Sequence, residues 1–146
     1  YSDAQIYAGE RGGERHFNVS GFCYPEVMAR HNVFGNQGEL LAKKYLEEQG
    51  YEILDENWRF RKAEIDLIAY KDPIIVFVEV KARENNRFAE PEDFVSKAKQ
   101  KLLAMAAGEY IHLMNHQSEV RFDIITILFD KFGDPVIRHI EDAFWP

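Results

Sequence analysis

The run Ile74–Lys81, Ile-Ile-Val-Phe-Val-Glu-Val-Lys, constrains the chain more than any other segment. Its β-branched and aromatic residues suit a strand. Strand alternation puts Ile75, Phe77, Glu79 and Lys81 on one face, and Ile74, Val76, Val78 and Val80 on the other. A strand that is apolar on both faces thus ends in an acid and a base that share a side. In the run before it, Glu64–Tyr70, the residues Glu64, Asp66, Ile68 and Tyr70 share a face, and Lys71-Asp72-Pro73 between the two runs is turn sequence. A hairpin closing tightly around Asp72-Pro73 sets Asp66 opposite Glu79 and Glu64 opposite Lys81. Directly paired side chains have Cβ atoms about 4.5–5.5 Å apart, and like charges so placed repel.

Two facing acids beside long apolar runs call for a compensating cation. Mg2+ (or Mn2+) takes carboxylate oxygens and water, often with only one or two protein carboxylates. A metal there activates water and stabilises charge on a phosphoryl oxygen. Lys81 projects into the same space and is read as a stabiliser and orienter of the attacking hydroxide, not as the base. A structural reading stands beside this one: a Glu-x-Lys triplet arises by chance about once in every two chains of this length, and Glu64–Lys81 would then be a plain cross-strand ion pair. Position strengthens the chemical reading without displacing the structural one, because the triplet closes a very apolar strand and the hairpin neighbour presents Asp66 to it.

Around this hairpin the chain divides into residues 1–27 and 28–146. The first stretch is broken by Gly9, Gly12, Gly13 and Gly21 and sustains neither helical nor strand periodicity. It reads as an N-terminal extension, with Met28-Ala29-Arg30 as a natural translation start. Beyond it the pattern predicts a helix from about Gln37 to Gln49, with Leu41, Ala42, Tyr45 and Leu46 inward and Gly50 as its stop. Strands follow at Tyr51–Phe60, Glu64–Tyr70 and Ile74–Lys81. A helix opens at Pro91 and runs to about His116, with Val95, Ala98, Leu102, Met105 and Ala106 as its apolar stripe. Strands at Val120–Phe129 and Pro135–Ile140 complete the series. The fold class is α/β, a mixed β-sheet flanked by helices in the order α-β-β-β-α-β-β. On the first helix Glu39 shares a face with Ala42 and Leu46. Asn36-Gln37-Gly38-Glu39 also resembles a capping box, a reading favoured on the residues alone.

Composition narrows the function classes. No apolar run approaches the roughly 18 residues of a membrane span, and Cys23 is the only cysteine, which excludes an internal disulfide and a paired-cysteine zinc site. A reducing, cytoplasmic setting is the simple expectation. The net charge of −7 speaks against a protein that coats nucleic acid, though not against a nuclease whose pocket is built from carboxylates. Trp58-Arg59-Phe60-Arg61-Lys62 interleaves aromatic and basic residues; stacking with phosphate contact and a half-buried strand fit it about equally. Lys97, Lys101, Arg83 and Arg87 form either a phosphate-facing rim or a solvated face. His112 and His116 have zinc-compatible spacing but no further ligand.

The series Gly38-Glu39, Ala63-Glu64-Ile65-Asp66-Leu67-Ile68, Val76-Phe77-Val78-Glu79-Val80-Lys81-Ala82-Arg83, Lys99-Gln100 and Arg121-Phe122-Asp123 resembles the YraN-type family of bacterial proteins. That family belongs to the PD-(D/E)XK, or restriction-endonuclease-like, superfamily, whose understood relatives include archaeal Holliday-junction resolvases. The resemblance runs from about Gly35 to Phe144. It implies a restriction-endonuclease-like core with Asp66 and Glu79 as metal ligands, Lys81 as the catalytic lysine and Glu39 as the acid from the first helix. It further implies Lys99 or Gln100 lining the cleft; Arg61 of the aromatic–basic segment and Arg83 of the basic rim are the further candidate contacts to nucleic acid. Ala63 departs from the glycine usual before Glu-Ile-Asp, which touches the edge of the cleft and leaves the acids intact. The expected activity is Mg2+-dependent hydrolysis of phosphodiester bonds in DNA, branched or non-duplex structures being the leading substrate. The alternatives are a nucleic-acid-binding protein of the same fold without turnover and a protein-interaction module. No membrane partner is expected, and a homodimer is compatible with the sequence. Truncation to Met28 is expected to leave a folded protein with a similar thermal midpoint. An insoluble or unfolded product would instead make residues 1–27 part of the domain.

Overall fold

In the computed structural model the backbone is described for residues 6–11, 14–19, 30–83, 95–130 and 132–145, with side chains from residue 36 onward in those ranges. The elements are β1 (Ile6–Arg11), β2 (Glu14–Val19), α1 (Arg30–Glu48), β3 (Glu52–Phe60), β4 (Ala63–Lys71), β5 (Ile74–Arg83), α2 (Lys97–Leu113), β6 (Val120–Phe129) and β7 (Pro135–Ile140). They build one seven-stranded sheet in the order β1-β2-β7-β6-β5-β4-β3. From α1 onward the order is the α-β-β-β-α-β-β expected. Only β5 and β6 run parallel, joined through α2 as a crossover unit; every other neighbour pair is antiparallel.

Residues 1–27 carry a finding the glycine-broken pattern did not suggest. Within them β1 and β2 pair as a hairpin, and β2 adds to the edge of β7 through Arg15↔Ile137 and His16↔Val136. Short edge strands need no sustained alternation, because one ladder can hold them without a buried face of their own.

The helices cover opposite faces. Ala42, Tyr45 and Leu46 of α1 pack with Leu67, Ala69, Val76, Val78, Ile125 and Ile127. Leu103, Ala106, Ala107 and Tyr110 of α2 pack with Ile68, Ile75, Phe77, Phe122 and Ile124. β5 is therefore buried on both sides, as its apolar run requires.

Two helix expectations are corrected. α1 begins at Arg30, so Asn36–Glu39 lies inside it and is no cap. α2 begins at Lys97, beyond Pro91, because Ser96 is its N-cap: extended in backbone, with its hydroxyl accepting from Lys99 N at 3.2 Å. Its buried stripe is accordingly rotated to Gln100, Leu103, Ala106, Ala107 and Tyr110, while Leu102 stays 37% exposed. Pro91 itself lies outside the described residues.

At the N-terminal end of β6 a buried ion cluster ties the sheet to the last residues. Arg121 donates to both oxygens of Asp123 at 2.7 and 2.8 Å and to the Tyr51 hydroxyl at 2.8 Å. His139 Nε2 lies 2.7 Å from Asp123, and the Asp142 N–H donates to it at 3.0 Å. Burial alone would raise the Asp123 pKa, but the bonds from His139 and Arg121 outweigh it and hold the carboxyl below its ordinary value.

α1 approaches the sheet closely at Gly38, where an added Cβ would meet Ala82 Cβ at 2.8 Å. A mid-helix glycine costs about 0.5–1 kcal/mol relative to alanine, so its value here is steric. Gly38→Ala is expected to destabilise the protein by about 1–3 kcal/mol in urea unfolding, the usual range for overpacking. Gly38→Ala combined with Ala82→Gly is expected to recover most of that loss. A single variant as stable as wild type would mean the helix can back away freely.

Candidate functional site

The β4–β5 hairpin has the register read from the sequence, with Lys71↔Ile74, Tyr70↔Ile75, Ala69↔Val76, Ile68↔Phe77 and Leu67↔Val78. The loop is Asp72-Pro73, with Asp72 in the left-handed region at φ 53°. The ladder then stops. Where Asp66 and Glu79 would face each other as a backbone pair, the Asp66 carboxylate instead accepts the Val80 N–H, at 2.8 Å. β5 continues beside β6 to Arg83↔Leu128, and β4 stays with β3 to Phe60↔Ala63. The two central strands fork.

Asp66 is also where β4 turns over. Ala63 and Ile65 pack into the α2-side core, whereas Leu67 and Ala69, of the same parity, pack into the α1-side core. On β3, Asn57 sits between the paired Glu56 and Trp58 with φ 49°, a left-handed conformation that asparagine tolerates better than most residues. This break corrects the expectation that Glu64 shares a face with Asp66 and pairs with Lys81. Glu64 pairs with Arg59 at 3.3 Å and lies within electrostatic reach of Glu39.

The fork gathers the expected acids and Lys81. Glu79 is 4% exposed, and its Oε1 is bonded by Lys99 Nζ and lies 3.2 Å from Lys81 Nζ. Its other oxygen, Oε2, is buried without a hydrogen-bond partner. Asp66 is pushed up to about 7 by burial first and by the Glu79 charge second, against the pull of the Val80 N–H. Glu39 reaches the same space from α1. Burial raises its pKa, a hydrogen bond with Asn57 opposes this, and repulsion from Glu64, Glu56 and Glu79 adds to the rise. Burial would lower the Lys99 pKa, yet the bond and charge of Glu79 carry it upward overall. Buried polar atoms in proteins nearly always find partners, so a desolvated acid pair with one oxygen unpartnered suits a hard cation. Among the described residues, no group of three or more His, Cys, Asp and Glu side chains gathers to hold a metal, so any ion here would rely on water for much of its shell.

The expected contacts to nucleic acid divide. Arg61 is exposed on the β3–β4 turn, over the Phe60 ring at 5.2 Å and 3.9 Å from Met105 Sδ of α2. Lys97 and Lys101 are exposed on the helical stripe that leads to Met105, and Arg83 is exposed at the end of β5. Lys99 is spent on Glu79. Gln100 is 6% exposed; its amide nitrogen donates to Val95 O at 3.1 Å, while its Oε1 is buried without a hydrogen-bond partner. Trp58 and Phe60 stack, and Trp58 packs edge-on against Tyr110, the half-buried-strand reading of that segment. Asn57, which holds Glu39, escaped the sequence reading; only its bulge-prone residue type pointed to it.

A model of the uncharacterised protein family UPF0102 matches residues 38–127, a span that includes Glu39, Asp66, Glu79, Lys81 and Lys99. A UPF0102 protein of Flavobacterium psychrophilum is 47% identical over 118 residues, which cover 81% of this chain and 98% of the relative. One from Bacteroides thetaiotaomicron is 45% identical over 119 residues, covering 82% and 98%. Among solved structures, SfsA of Pyrococcus furiosus in complex with Ca2+ aligns with 93% of this chain and 75% of its own, at 13% identity and a TM-score of 0.34.

The raised Asp66 pKa has a consequence in the metal-free protein. An acid whose folded pKa exceeds its unfolded value holds its proton more tightly in the native state, so its contribution to stability falls as pH rises between the two values. In EDTA, wild type is expected to lose stability to urea between about pH 4 and about pH 7 relative to Asp66→Asn. The asparagine keeps an oxygen for the Val80 N–H and should be the more stable form at pH 8. Parallel profiles for the two proteins would show that the acid pair is not strained.

Proposed function

The chain belongs to the uncharacterised protein family UPF0102, and we propose that it acts as a metal-dependent nuclease that hydrolyses phosphodiester bonds in DNA, with its reaction centre in the fork. The observation that carries the reading is the unpartnered, buried Oε2 of Glu79 beside the desolvated carboxylate of Asp66. Asp66 and Glu79 would hold Mg2+ or Mn2+, and Glu39 would add negative charge from α1. A bound divalent ion supplies an activated water and neutralises charge on the phosphoryl oxygens.

The protein's own groups do the rest. Lys81, fixed at the end of β5 and 3.2 Å from Glu79, orients the attacking hydroxide and stabilises charge on the phosphate. Arg61, Lys97, Lys101 and Arg83 are exposed where they can meet backbone phosphates, contacts that position a strand without reading its sequence. A net charge of −7 fits local engagement at this rim better than broad affinity for duplex. Branched or otherwise non-duplex DNA is the preferred substrate on analogy with the superfamily. A reducing, cytoplasmic setting accords with the single cysteine, and no helix among the described residues is long and apolar enough to cross a membrane.

A second reading, nucleic-acid binding without turnover, draws on the lack of a three-ligand group among the described residues. Melting curves with and without millimolar Mg2+ or Mn2+ separate the two, run beside cleavage of duplex, single-stranded, flap and four-way-junction DNA. Wild type is expected to melt higher with metal, because only a ligand that binds the native state stabilises it. Asp66→Asn is expected to lose that shift and the cleavage together. Lys81→Ala is expected to keep the shift while turnover falls about 10²–10³-fold, the cost of removing one preorganised electrostatic donor. Absence of both a metal shift and cleavage in wild type would leave the binding reading in possession.

A further inference from the structure

We propose that Lys99 is a built-in counter-ion: its ammonium occupies Glu79 in the metal-free protein and must leave when a divalent cation is bound. The inference rests on the metal-site reading above and concerns how that site is filled.

Two ammonium groups from different elements converge on one carboxylate oxygen. Lys99 of α2 bonds Oε1 of Glu79, and Lys81 of β5 lies 3.2 Å from the same atom. Lys99 also lies within the field of Asp66. Holding Glu79 in place does not need both, since Lys81 sits on the same strand two residues away. Charge decides between them. Glu39, Asp66 and Glu79 can supply three negative charges. Lys81 and Lys99 supply two positive ones, and a divalent ion would bring the total to four. Like charges packed this closely in a partly desolvated space are strongly unfavourable, and departure of one ammonium restores balance.

Lys99 is the one free to go. Its side chain is 38% exposed against 28% for Lys81, and it stands in the first turn of α2, where a long flexible stem can swing outward to water. Lys81 is held on a strand hydrogen-bonded to β6 through Arg83. An ammonium on Oε1, next to the unpartnered Oε2, keeps the acid pair from repelling itself open before metal arrives. It also sets a threshold, because the incoming ion must outcompete an internal charge.

The test is a Mn2+ titration by calorimetry on the full chain after EDTA treatment, comparing wild type, Lys99→Met and Lys99→Arg. Methionine keeps much of the stem and removes the charge. Lys99→Met is expected to bind Mn2+ at least about tenfold tighter, a 1.4 kcal/mol effect, with Lys99→Arg returning to wild-type affinity or weaker. Should Lys99→Met fail to fold, nitrogen-15 NMR of the lysine ammonium groups in wild type gives an independent measure. The Lys99 signal should be protected without metal and should lose that protection at saturating Mg2+. Wild-type binding with Lys99→Met unchanged or weaker, or a Lys99 signal that stays protected in metal, would overturn the proposal and make Lys99 a positioning residue. No binding by any of the three proteins would remove the metal-site reading, and this inference with it.

Discussion

Everything at the fork depends on a single exchange of hydrogen-bond partners, in which the Asp66 carboxylate takes the Val80 N–H in place of a backbone carbonyl. An antiparallel ladder would otherwise continue past Leu67↔Val78 and close the space between β4 and β5. By capping the freed donor, Asp66 lets the strands separate without leaving that N–H unsatisfied. The same bond fixes the acid beside Glu79. Asp66 is thus the residue that opens the fork and also one that furnishes it; burial and the neighbouring Glu79 charge raise its pKa although the Val80 bond opposes the rise.

The two helices act as walls at different depths. Gly38 brings α1 close to β5 at Ala82, and the next residue, Glu39, lies within electrostatic reach of Asp66. Ser96 sets the start of α2 so that Lys99, one turn in, reaches Glu79 from the other face. Only where β4 and β5 part can groups from both faces of the sheet interact. The cluster of Arg121, Asp123 and His139 belongs to the fold. It anchors the residues after β7 and engages Tyr51 beyond α1, with every Asp123 oxygen satisfied. Breaking such a buried pair from one side is costly, and that cost is a structural constraint without need of a chemical role.

Much of this was legible in the sequence because it follows local rules. The five strands from β3 to β7, the hairpin at Asp72-Pro73 and its register follow from alternation and turn chemistry; the register brings Asp66 close to Glu79, although the ladder itself ends one pair earlier, at Leu67↔Val78. What could not be read depends on non-local geometry. Parity assigns faces only while a strand stays regular, so Glu64 was misplaced once β4 turned over at Asp66. A helix stripe can be read only from its true start, so beginning α2 at Pro91 rotated its buried face away from Gln100 and Leu103. β1 and β2 borrow stability from the edge of β7, and nothing within residues 1–27 announces that. The family resemblance put Lys99 at the cleft as a contact to nucleic acid, whereas its bond to Glu79 shows only once the helix is docked.

The irregularity at Asn57 has an effect far from chemistry. Among the described residues β3 is an outermost strand of the sheet, and such an edge is the natural place for another extended chain to add itself. A register shift between Ile53 and Asp55 and the left-handed backbone at Asn57 break that edge into short, misaligned pieces, and Glu52, Glu56 and Arg59 put charge along it. An incoming strand would find no straight row of donors and acceptors to match. The irregularity that sets Asn57 against Glu39 therefore also makes this edge a poor template for an added strand.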